Sequence, residues 1–80
     1  IGGEEFMILC PKTALEDAKI VAQRIRVLIE NYKYDNQNIT ISLGICEYKA
    51  EYDFDKFYKK VDIALYSAKE NGRNRVEACS

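Results

Sequence analysis

Short apolar runs alternate along the chain with longer stretches in which apolar residues recur every three or four positions. Phe6-Met7-Ile8-Leu9-Cys10 is an unbroken apolar run stopped by Pro11, and it predicts a strand covered on both faces. The Gly2-Gly3 pair ahead of it reads as a hairpin turn feeding that strand. Thr13-Ala14-Leu15-Glu16 has the form of a capping box, with the Thr hydroxyl accepting from the backbone and Glu16 reaching back. A helix follows to about Asn31. Its apolar stripe is Ala18, Val21, Ala22, Ile25, Leu28 and Ile29, and its wet side is Gln23, Arg24, Arg26 and Glu30.

Residues 35–38 form a turn-rich link. Residues 39–46 then alternate strictly, with Ile39, Ile41, Leu43 and Ile45 on one face and Thr40, Ser42, Gly44 and Cys46 on the other. This predicts a strand with a large-residue face and a small-residue face, the latter leaving room for a helix or a ligand to approach closely, with a helix the expected occupant. Residues 47–52 read as a polar loop. A second helix starts near Asp53 or Asp55, either of which can cap it. Phe54, Phe57, Tyr58, Val61, Ala64, Leu65 and Ala68 form its stripe, and Asn71-Gly72 marks its end. Residues 76–79 predict a short last strand. The order strand, helix, strand, helix, strand predicts an α/β sandwich. A Gly-Gly turn calls for a partner strand ahead of it, so the sheet is read as incomplete, with N-terminal strands missing. Its open edge invites pairing with a second copy.

Composition narrows the picture. Eighty residues make one small domain or a piece of one, and folding at that size buries about 60% of the unfolded chain's surface. Hydrophobic residues at 48% and charged residues at 31% describe a globular chain and not a disordered one. Twelve Lys and Arg against thirteen Asp and Glu leave a net charge of −1, which argues against a nucleic-acid polymer as partner. The absence of His removes imidazole zinc sites and His-dependent triads. No apolar run approaches the roughly 18 residues of a membrane span, so no direct membrane contact is expected of this segment. Cys10, Cys46 and Cys79 are odd in number, far apart and free of any CxxC pattern. They read as buried thiols in a reducing cytosol and not as a disulfide framework. The chain opens without Met and without a signal peptide, so it reads as cut from something longer. That parent is expected in the cytoplasm, with membrane anchoring open to it.

Two places can carry chemistry. Gly2-Gly3-Glu4-Glu5 puts adjacent carboxylates at a turn, and such oxygens suit Mg²⁺, which one or two carboxylates plus substrate phosphates commonly hold. Lys69 and Arg73 straddle the end of the second helix, close enough in sequence to clamp a polyphosphate. Each has a plain structural alternative: a solvated turn for the first, cations complementing a helix dipole for the second.

Together and in this order, the two segments resemble the C-terminal half of a GGDEF domain, the diguanylate cyclase family. Gly2-Gly3-Glu4-Glu5-Phe6 matches the family's signature in its Glu variant, and Ile39-Thr40-Ile41-Ser42-Leu43-Gly44-Ile45 is similar to its internal strand. Residues 61–76, VDIALYSAKENGRNRV, match its terminal helix and strand over one contiguous stretch. The resemblance covers residues 1–80, as one half of a single GGDEF domain, and implies a ferredoxin-type nucleotidyl-cyclase sheet.

The resemblance implies an enzyme that condenses two GTP molecules into cyclic di-GMP, a bacterial second messenger, across a head-to-head homodimer, releasing pyrophosphate. By the same resemblance Gly2 and Gly3 lie against the nucleotide. Glu4 is the metal-binding and catalytic carboxylate, and Glu5 supports it at the metal or the hydroxyl. Lys69 and Arg73 bind the triphosphate, while Asn74 and Arg75 are structural or shield the rim. Asp62 belongs to the family pattern with no chemistry assigned. The implied cofactor is Mg²⁺ or Mn²⁺. The implied partners are GTP, a second copy of the domain and an upstream sensor or receiver domain. Further ligands for metal and guanine would lie upstream of Ile1, so the 80-residue chain alone is expected to be inactive. The competing expectation is a regulatory module that binds GTP or a cyclic dinucleotide without turnover.

Overall fold

The computed structural model describes residues 4–7 and 14–79. Its elements in chain order are β1 (Glu4–Met7), α1 (Leu15–Asn31), β2 (Lys33–Tyr34), β3 (Gln37–Asn38), β4 (Ile41–Ile45), α2 (Phe54–Glu70) and β5 (Val76–Ala78). Strands β1, β4 and β5 make a parallel sheet in the order β1-β4-β5. The result is the expected α/β arrangement, with one helix on each face of the sheet.

The two faces of β4 decide where the helices sit. All five of its residues are buried. Ile41, Leu43 and Ile45 form the core with Ala22, flanked by Leu15, Ala18, Ile25 and Ile29 of α1 and by Val76 and Ala78 of β5. The small face takes α2. A Cβ added at Gly44 would run into the backbone N of Leu65 and stand 2.7 Å from the Val61 carbonyl oxygen. Only a residue without a side chain lets the helix backbone come that close.

The helical stripes are narrower than their spacing predicts. In α1 the core takes Leu15, Ala18, Ala22, Ile25 and Ile29, whereas Val21 is 50% and Leu28 70% exposed. The helix meets a single sheet face, which reaches only one row of residues. In α2 the buried residues are Phe57, Val61, Ala64, Leu65 and Ala68, and Phe54 and Tyr58 are exposed. Arg26 is a second correction. Its side chain is only 15% exposed because it reaches across to the segment before β5.

Each helix start has a different solution. The Asp53 side chain caps α2, accepting from Lys56 N–H at 2.8 Å. At α1 the N-cap is Ala14, with no side-chain cap, and the Leu15 N–H donates to Glu47 Oε1 at 3.2 Å from a distant loop. Glu16 pairs with Lys19 at 3.7 Å, and the Thr13 half of the expected capping box lies outside the described residues.

The link at 35–38 is a hairpin. Lys33 pairs with Asn38 and Tyr34 with Gln37 around Asp35-Asn36, whose φ values are +53° and +63°. Two left-handed residues in a two-residue loop are the hairpin turn that matches strand twist.

The thiol expectation also needs correction. Cys46 and Cys79 are joined by a disulfide, with Cα atoms 5.1 Å apart and a sequence separation of 33. Ile45 pairs with Ala78 at the end of the β4-β5 ladder, so the next residue on each chain falls opposite the other. Cys10 lies outside the described residues. No described helix is long and apolar enough to cross a membrane.

Candidate functional site

Because β1, β4 and β5 are parallel, all three begin at one edge of the sheet. Glu4 and Glu5 open β1, opposite Ile41 and Ser42 respectively. Gly2 and Gly3 lie outside the described residues.

Helix α2 links the far end of β4 to the near end of β5, so it finishes at that same edge. Lys69, half-buried, is in its last turn, and Arg73, exposed, follows its end. The topology thus brings both acidic positions and both basic positions to one edge.

The turn after α2 is built in layers. The Arg73 N–H donates to the Ala68 carbonyl at 2.8 Å and the Gly72 N–H to the Lys69 carbonyl at 3.4 Å. This pair of bonds, with Gly72 at φ +121°, is a Schellman ending. Arg73 and Asn74 continue in the left-handed region, at φ +63° and +47°. Non-glycine residues there cost about 1 kcal/mol or more each and persist only where surroundings hold them.

Asn74 supplies the hold. Its backbone N–H donates to Ser42 Oγ at 3.2 Å, its Oδ1 accepts from the Arg26 guanidinium at 2.9 Å, and its Nδ2 donates to Glu30 Oε2 at 2.7 Å. Arg26 and Glu30 also pair with each other at 3.3 Å. Ser42, the buried polar residue of β4, is satisfied by this contact. Arg75 serves the same turn: its Nε donates to the Arg73 carbonyl at 3.2 Å and its carbonyl accepts from Leu43 N–H at 2.9 Å. Asn74 and Arg75 are therefore structural in this fold. Arg26, Glu30 and Ser42 belong to the same support, and the sequence pattern had no signal for them.

By residue type, the edge gathers two acidic and two basic positions. Among the described residues, no three His, Cys, Asp or Glu side chains gather round a common point. An α/β module that sets acidic residues at a strand start against a basic helix end is suited to phosphate esters with a divalent cation.

Residues 1–75 match the family model described as diguanylate cyclase, GGDEF domain, and the chain belongs to that family. It is 41% identical over 78 residues to diguanylate cyclase DgcM of Escherichia coli K12, covering 96% of this chain and 19% of that protein. It is 41% identical over 80 residues to diguanylate cyclase A of Treponema denticola, covering 94% of this chain and 22% of the relative. Against the response regulator PleD of Caulobacter vibrioides the identity is 38% over 82 residues, with 94% of this chain and 18% of the relative covered. The chain thus spans about a fifth of the length of these relatives. No solved structure matches it.

Proposed function

We propose that this chain contributes the signature turn and the triphosphate-binding helix end of a diguanylate cyclase, which condenses two GTP molecules into cyclic di-GMP. The observation that carries the reading is the shared sheet edge of Glu4 and Glu5 with Lys69 and Arg73. Membership of the GGDEF family supports it, as do relatives named diguanylate cyclase.

The residues divide the work by charge. Lys69 and Arg73 neutralise and orient the triphosphate. The donor set at Glu4 and Glu5, two hard carboxylates, fits Mg²⁺ or Mn²⁺. Such an ion, when bound, offsets the charge that develops at the phosphates. Glu4 also stands as the group that helps draw the proton from an attacking 3′-hydroxyl. The 3′-oxygen of one nucleotide bonds to the α-phosphorus of the other as the bond to pyrophosphate breaks. Repeating the step in the opposite sense closes the ring. Two nucleotides attacking reciprocally call for two copies of the domain around a twofold axis. A regulatory domain ahead of this segment, as the name of the PleD relative suggests, would set how the copies meet.

The test is turnover by the whole protein that contains this chain. It is incubated with Mg²⁺ and a mixture of GTP and ATP, beside a Glu4→Ala variant, and products are identified by mass spectrometry. Cyclic di-GMP that disappears in the variant is the expected result. Nucleotide retained without any product would replace this reading with a binding module.

A further inference from the structure

The Cys46–Cys79 pair stands at the opposite edge of the sheet from the acidic and basic residues, and the proposed cyclase chemistry makes no use of it. The ladder itself places the two residues. The Cys79 N–H donates to the Ile45 carbonyl at 2.8 Å, and Ile45 pairs with Ala78. The resulting Cα separation of 5.1 Å lies inside the roughly 4.4–6.8 Å span of natural bridges. Strand register therefore keeps the sulfurs within reach whether or not they are bonded.

Their surroundings allow exchange. Both residues are half-buried, not sealed in the core. They follow the small-residue face of β4, the one against α2. Cys79 lines a recess of about 220 Å³ there with Lys60, Ile63, Ala64, Ser67 and Ala78. A small thiol or disulfide can approach a half-buried sulfur through such a recess. The thiolate is the form that attacks in such an exchange.

We propose that Cys46 and Cys79 are a reversible dithiol–disulfide site, exchanging with small thiols and disulfides such as glutathione, whose oxidised form staples β5 to β4. In the forward direction one cysteine thiolate attacks a sulfur of glutathione disulfide and expels one glutathione thiolate. The second cysteine then attacks the protein sulfur of that mixed disulfide and expels the other glutathione. The two cysteines lose two electrons and two protons, and one disulfide becomes two thiols. Excess dithiol reverses both steps. The staple holds the far end of a three-residue edge strand whose near end continues from the left-handed turn at Gly72, Arg73 and Asn74. Opening it lets β5 fray from its C-terminal end toward that turn. The site exchanges whether or not the chain handles nucleotides.

The test equilibrates the chain in glutathione buffers of stepped oxidation, quenches with acid, alkylates and reads masses and peptides. The expected product in oxidising buffer is a chain two hydrogens lighter, with a peptide linking Cys46 to Cys79, reopened by excess dithiothreitol. Cys10→Ser retains the behaviour. Cys46→Ser instead gives a single glutathione adduct at Cys79. Amide exchange at Glu77 and Ala78 slows on oxidation of the native chain and is unchanged in Cys46→Ser. The proposal is overturned if both cysteines stay alkylatable throughout, if Cys10 or another chain takes the bond, if dithiol fails to reopen it, or if exchange at β5 is the same in both states.

Discussion

The Arg26 guanidinium, midway along α1, donates to the side-chain oxygen of Asn74 at 2.9 Å, although they stand 48 positions apart in sequence. Arg26 also holds Glu30, which accepts from the same asparagine's amide. A helix on one face of the sheet thereby fixes a left-handed turn that belongs to the helix on the other face. The residues nearest the proposed phosphate contacts are thus positioned by α1, which itself carries none of them.

Asn74→Ala should cost about 2 kcal/mol of stability, since it removes the charge-assisted bonds to Arg26 and Glu30 and puts a less tolerant residue in the left-handed region. Arg26→Ala should cost a similar amount. The double variant should cost clearly less than the sum, because the two losses share one bond. Urea unfolding of the three variants measures this. Strict additivity would mean that the turn holds itself.

Gly44→Ala should be among the most damaging single-methyl additions, at about 3 kcal/mol, the upper end for overpacking. The added carbon meets helix backbone, which cannot rotate aside as a side chain would. Thermal unfolding followed by circular dichroism gives the answer, and a near-native melting temperature would show that α2 can slide on the sheet.

Asp53→Ala should lose about 1 kcal/mol, the usual worth of a helix cap, while Asp55→Ala, inside the first turn, should lose a few tenths. Both aspartates are open to the role by sequence. The side-chain bond to Lys56 N–H assigns it to the first, and equal losses would contradict that assignment.

Arg73→Gln should weaken Mg²⁺–GTP binding by the whole protein about tenfold or more, the worth of one charge-assisted contact, and leave its melting temperature nearly unchanged. Arg75→Gln should do the reverse, since its guanidinium is engaged within the turn. Calorimetric titration and thermal unfolding on the same two samples separate the roles. Arg73→Gln with native affinity would remove Arg73 from the proposed site.

What the sequence reveals follows the range of each interaction. Alternation over residues 39–46 reports a strand with unlike faces because both faces of β4 are buried against different partners. An aspartate cap at 53 or 55 is legible too, since its donor lies only three residues on, and the bond to Lys56 N–H picks Asp53. The β2-β3 hairpin was hidden, because two-residue strands are too short to show alternation. Val21 and Leu28 fit the helical spacing yet are exposed, since spacing cannot tell how wide a face the sheet covers. The bond between Cys46 and Cys79 exists only because parallel pairing brings distant residues level, and the contact of Arg26 with Asn74 only because the fold brings α1 beside the turn before β5. Of the proposed site, the signature and the basic helix end were readable as motifs. Their common edge came only from strand direction.

Both neighbours of β4 run parallel to it, and each is reached only through a helix. Among the described residues no hairpin joins two strands of the main sheet, and the small β2-β3 hairpin lies outside it. Two long loops must close before β4 gains either partner, and their entropy falls due before any ladder bond repays it. The rate of reaching the native state is then governed by how fast α1 and α2 dock onto opposite sides of one five-residue strand. A chain caught with only one helix docked exposes half of β4 to whatever apolar surface is nearby.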